Sequence, residues 1–146
     1  MVLKNLSEWL FPGDGDGTTA PPAVSERVGA AGLLVAAAHR DGRYTDVERG
    51  VATAALMKLF HIGNPEASAL RVEAEGELFE GHRTFVTFAA AAKLMTREDQ
   101  ETLIRHIWEL VASDKETLGE NLFVSSVRDF LGFTRAQAEA LRPTEL

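Results

Sequence analysis

The stretch "HRDGRYTDVERG", His39–Gly50, gathers Asp41, Asp46 and Glu48 around one tight corner between two alanine-rich helical patterns. A hard divalent cation such as calcium or magnesium takes several oxygen ligands, and these carboxylates with turn carbonyls and water would supply them. The same residue types support a plainer reading. Gly42 suits the left-handed conformation that ends a helix. Thr45-Asp46-Val47-Glu48 matches the capping box, in which the Thr45 side chain accepts from the Glu48 amide and Glu48 reaches back to the Thr45 amide. Carboxylates in a first turn also favour the helix dipole, by about 0.3–1 kcal/mol each. Capping therefore accounts for Asp46 and Glu48. It leaves Asp41 over, since an acid at the C-terminal end of a helix meets the negative end of the dipole.

The pattern returns near the other end of the chain. "HRDGRYTDVERGVATAALMKLFHIGNPEASALR" runs parallel to "ASDKETLGENLFVSSVRDFLGFTRAQAEALR". In each, a helix ends at Asp (Asp41, Asp114), and a threonine–glutamate pair follows: Thr45 with Glu48, Thr117 with Glu120. A helix then leads to an aromatic–glycine corner, and a last helix ends in "ALR"; the second of these corners reads as one residue shorter. A repeat this long predicts two pseudo-symmetric helical halves around a shared core.

The order of these motifs carries a resemblance. A helix ending in Asp-Gly, an acid seven residues after the Asp, and a second such corner before "DFLGF" (Asp129–Phe133) resemble the tellurite-resistance TerB-like family, over about Val28 to Arg142. The resemblance implies an all-α fold of two related halves with acidic corners proposed to bind metal. It implies a link to tellurite and other stress responses, and no catalytic reaction. Asp41, Gly42 and Glu48 match the first corner. The second departs: Lys115 stands in place of the glycine, and Asn121 stands seven residues after Asp114, with Glu120 one place early. Candidate metal ligands are thus Asp41, Asp46 and Glu48, with Asp114 and Glu120 at a second corner that is weakened as a site or purely structural.

Other chemistries find little support. No cysteine is present, which removes disulfides, thiolate zinc sites and a cysteine nucleophile. No H-E-x-x-H, no G-x-S-x-G and no lysine-bearing phosphate loop occurs. His39 sits in a last helical turn, where an imidazolium suits the dipole. His106 falls on the polar face opposite Leu103, Ile107 and Leu110, and reads as solvated. Glu73, Glu75, Glu77 and Glu80 read as a solvated acidic face. The net charge of −7 argues against nucleic acid, whose phosphates need clustered Lys and Arg.

Helical periodicity places the elements at Val24–Arg40, Asp46–Phe60, Pro65–Leu78, Thr84–Met95, Arg97–Ala112, Leu118–Leu131 and Arg135–Leu141. Asn64-Pro65 reads as an N-cap with proline behind it, Thr96 as an N-cap, and Thr134 with Gln137 as a second capping box. Before them, "PGDGDGTTAPP", Pro12–Pro22, is a flexible tether. With Asp14 as first ligand of a calcium loop, Thr19 stands where glycine is needed and Ser25 at the twelfth place; with Asp16 as fifth, the twelfth is Ala23. "MVLKNLSEWLF" places Leu3, Leu6, Trp9 and Leu10 on one helical face, suiting docking or disorder better than contact with a membrane surface through residues 1–11. No apolar run approaches the ~20 residues that span a bilayer.

The expectation is an all-α domain over residues 23–146, a compact bundle of about seven helices in two pseudo-symmetric halves, preceded by a short helix and Gly/Pro-rich linker over 1–22. It is expected to be cytoplasmic and not an enzyme. The leading function is a TerB-like stress-response module that binds a divalent cation, calcium or magnesium, at the acidic corner. The alternative is a metal-free scaffold for an unidentified protein partner, with corners that only cap helices.

Overall fold

A computed structural model describes residues 24–40, 42–81, 83–112 and 122–143. Among them are seven helices: α1 (Glu26–His39), α2 (Asp46–Phe60), α3 (Asn64–Phe79), α4 (Phe85–Ala92), α5 (Arg97–Ala112), α6 (Leu122–Leu131) and α7 (Arg135–Ala140). No strand occurs among the described residues. The predicted leader and tether over 1–22, and the first turn predicted from Leu118, lie outside them.

Local chemistry sets most of the boundaries. Ser25 opens α1 by accepting from the Val28 amide at 3.2 Å. Thr45 opens α2 with both arms of the capping box, and Thr134 with Gln137 does the same for α7. Thr96 accepts from the Asp99 amide at 3.1 Å at the start of α5. Two expectations change. The N-cap of α3 is Gly63 rather than Asn64, which is already helical and accepts instead from the Ser68 hydroxyl at 3.2 Å. Helix α4 stops at Ala92, short of Met95: the Leu94 and Met95 amides bond the Ala91 and Ala92 carbonyls three residues back in a tighter turn, and the buried Gln100 amide donates to the carbonyls of Ala92, Lys93 and Met95.

Helix α1 is the centre of the bundle and packs against α2, α3, α4 and α5. Its residues from Val28 to Val35 are buried without a break, as expected of a helix covered on all sides. Two glycines let α4 approach it. A Cβ at Gly29 would stand 2.6 Å from the Ala91 Cβ and 2.7 Å from the Phe88 carbonyl oxygen, and one at Gly32 would overlap the Phe88 ring. The large core side chains are Trp108, Phe88 and the Leu and Ile residues around them. Trp108 is buried on α5, and its indole N–H donates to the Ala138 carbonyl at 2.9 Å.

The two halves meet the pseudo-symmetry expectation with one revision. Three residues separate α2 from α3, and three separate α6 from α7, so the second corner is not shorter. The glycines are not equivalent: the left-handed position is His61 (φ 55°) in the first corner and Gly132 (φ 81°) in the second. Each is followed by the same closing bond, Ile62 N–H to Met57 carbonyl at 3.2 Å and Phe133 N–H to Arg128 carbonyl at 2.8 Å. In that register Gly63 stands at the N-cap position that Thr134 fills.

Candidate functional site

At the first acidic corner, Gly42 takes φ 85°, and its amide donates to the His39 carbonyl at 2.9 Å, as a helix-ending glycine should. Glu48 Oε1 accepts from the Thr45 amide at 2.9 Å and lies 3.2 Å from the Thr45 hydroxyl, so this oxygen is committed to the cap. Asp46, with its side chain 98% exposed, pairs with Arg49 at 2.7 Å. Arg49 in turn stacks over the Tyr44 ring at 4.6 Å. Asp41, Asp114 and Glu120, with Lys115 and Asn121, lie outside the described residues. Among the described residues no three acidic or histidine side chains come together as a metal site would need. Arg40 sits where two helices end, donating to the carbonyls of Ala37 in α1 at 2.8 Å and Val111 in α5 at 3.0 Å.

Next to the corner stands a network that links it to α3. The Tyr44 hydroxyl donates to Glu75 Oε2 at 2.5 Å, and Arg71 Nη1 donates to the same oxygen at 2.5 Å. Arg71 Nε donates to the Thr53 hydroxyl at 3.0 Å, and Thr53 donates to the Arg49 carbonyl at 2.9 Å. The Arg71 and Glu75 side chains are 17% and 19% exposed, so Glu75 is not on a solvated acidic face as its neighbours suggested. Burial of Tyr44, then its bond to the Glu75 carboxylate, pushes the phenol well above its ordinary value, against a smaller opposing effect of Arg71. For Arg71, burial works against the charge, but the bonds and charges of Glu75 and Tyr44 outweigh it and the net shift is upward. The phenol is held neutral and the guanidinium charged. Phe79 closes this region, its ring 5.0 Å from His39 and 6.2 Å from Tyr44.

On the outer side of this network lies a groove of ≈ 340 Å³ between α2 and α3. Asp46, Arg49, Thr53, Asn64, Ser68 and Arg71 give it a polar lining, and Gly50, Ala54 and Met57 complete it. Polar and apolar groups converge here as they do in binding sites. No pair of groups in it has the geometry of a nucleophile with a base, since Thr53 and Ser68 are spent on the Arg49 carbonyl and the Asn64 amide oxygen.

The protein-family model described as "Tellurite resistance protein TerB" matches residues 27–143. The chain belongs to the TerB family. No curated protein and no solved structure matches it significantly. The TerB match takes in every helix from α1 to α7 apart from the first residue of α1, and so covers both halves. No helix of this TerB domain, among the described residues, is long and apolar enough to cross a membrane.

Sequence reasoning located the first corner of the TerB domain and missed the network beside it. Glu75 lies 31 residues from Tyr44, and Arg71 lies 18 from Thr53, separations at which no local pattern signals a contact. The only local signal was the Arg71–Glu75 spacing, which suits a helical ion pair. His106 was also misplaced: its side chain is 11% exposed and its Nδ1 lies 2.6 Å from Glu109 Oε1.

Proposed function

We propose that this TerB-family chain is a non-enzymatic binding module of a stress response, and that its Thr45–Glu48 corner is a helix cap rather than a calcium or magnesium site. The observation that carries this reading is the commitment of Glu48, which closes the capping box; Asp46, the other described carboxylate of the corner, pairs with Arg49 in water. Arg40 supports it further, placing a fixed positive charge among the helix-end carbonyls that would otherwise favour a cation. The stress-response element rests on the family's printed description alone.

The test is a calcium titration followed by amide chemical shifts, in parallel with magnesium. The expected result is no saturable change at Tyr44–Glu48 up to millimolar metal, the weakest range in which calcium modules work. Glu48→Ala should lower stability by about 1 kcal/mol through loss of the cap, with or without metal. Saturable shifts at the corner, abolished by Asp41→Asn and Asp46→Asn, would instead establish the cation site and end this reading.

A further inference from the structure

We propose that the groove between α2 and α3 is a binding site for an oxyanion group, a carboxylate or phosphate on a small ligand, gripped by Arg49 and Arg71. This goes beyond the module reading and stands whether or not the neighbouring corner takes calcium.

The groove holds donors that the described residues leave unused. A guanidinium offers five N–H groups. Arg71 uses Nε on Thr53 and one Nη1 hydrogen on Glu75 and also bonds Tyr44, which leaves about two of its N–H groups unused among the described residues. Arg49 uses Nη1 on Asp46 and lays its plane on Tyr44, leaving Nε and Nη2 unspent among the described residues. The Asn64 amide oxygen accepts from Ser68, and its two N–H groups are likewise unspent among the described residues. All three residues, Arg49, Asn64 and Arg71, line one groove. Two guanidinium groups against one exposed carboxylate suit a planar or tetrahedral oxyanion better than a neutral polar group. The first turn of α3 borders it through Asn64 and Ser68, so the positive end of that helix adds to the same preference.

The two arginines differ in how they are held. Arg71 is largely covered and fixed by Thr53 and Glu75, a geometry set before any ligand arrives. Arg49 is 40% exposed, and its partner Asp46 is almost wholly in water. An ion pair of that kind is weak, so a ligand oxyanion can take the place of the Asp46 carboxylate without disturbing the fold. Asp46 is therefore the internal competitor of the site, occupying Arg49 when no ligand is bound. The groove volume of ≈ 340 Å³ is at the small end for ligand pockets, which points to a compact organic acid or phosphate ester.

The experiment titrates the full chain with inorganic phosphate and, separately, sodium acetate, at constant ionic strength set by chloride. It follows backbone amide and arginine side-chain NMR shifts. The expected result is saturable shifts confined to Arg49, Asn64, Ser68 and Arg71. Arg71→Gln should weaken binding by about tenfold or more. Asp46→Asn should tighten it by about threefold, because the competitor is removed. Because Arg71 also holds the fold, Arg49→Gln provides a second variant on an exposed side chain, expected to weaken binding several-fold with unfolding unchanged. The stronger of phosphate and acetate names the group on the ligand. Shifts that grow linearly with concentration, that spread over every exposed Lys and Arg, or that survive Arg49→Gln unchanged would overturn the proposal. So would weaker binding in Asp46→Asn, since an acid that helps binding marks a cation.

Discussion

Tyr44 is the only tyrosine in the chain, which makes its link to Glu75 open to direct observation. Its hydroxyl donates to a carboxylate at 2.5 Å, and burial with that carboxylate raises its pKa above the ordinary 10.0. The consequence for stability has a definite sign. A group whose native pKa is raised contributes fully below the unfolded value and loses that contribution as the pH climbs through the native one. The native protein should therefore hold its tyrosine neutral through pH 10, and stability should fall progressively above that pH. Tyr44→Phe removes the hydroxyl and keeps the ring on which Arg49 stacks. A hydrogen bond to a charged group contributes about 1.5–3 kcal/mol, and since Glu75 keeps Arg71, the expected cost is about 1–2 kcal/mol. That corresponds to a fall of roughly 2–8 °C in Tm for a chain of this size. The assay is tyrosinate absorbance against pH, with thermal unfolding of the variant alongside. In Glu75→Gln the titration should move back toward 10 without reaching it, because burial, the larger cause, remains. A native tyrosine that ionises at its ordinary pH, or a Tyr44→Phe protein with unchanged Tm, would refute the link between the corner and α3.

Three further outcomes test the packing. Gly32→Ala should destabilise by about 1–3 kcal/mol in denaturant unfolding despite the better helix former, because the new methyl meets the Phe88 ring, and Phe88→Leu should relieve part of the loss. His61→Gly should stabilise by about 0.5–1 kcal/mol by releasing a left-handed non-glycine residue, while Gly132→Ala, at the equivalent place, should cost about 1 kcal/mol; urea unfolding of both checks the pseudo-symmetry. Trp108→Phe should cost about 1–3 kcal/mol, as it shrinks a buried core ring and leaves the Ala138 carbonyl with the Leu141 amide alone, read from the unfolding midpoint.

Three side-chain caps were legible at single-residue resolution, whereas Ser25, which opens α1 at Glu26 rather than Val24, was not. Thr45 with Glu48, Thr96, and Thr134 with Gln137 all cap as their spacing implied, since donor and acceptor lie within one turn of each other. Boundaries settled by a distant residue were not. Helix α4 gives way early to a turn whose carbonyls at Ala92, Lys93 and Met95 accept from Gln100 on the next helix. The corner that aligns by its glycines, Gly63 with Gly132, aligns in space by His61 with Gly132, because backbone conformation and not residue type defines the joint.

The same division holds for the site. The residue order alone determined an all-helical TerB domain and the helix cap at its first acidic corner, because periodicity and capping act over three or four positions and are written locally. Tertiary structure alone decided that Glu75 faces Tyr44 and Arg71 rather than water, that His106 is covered, and that Arg49 and Arg71 border one groove. Those facts depend on which helix lies against which, and burial and electrostatic partnership are properties of that arrangement.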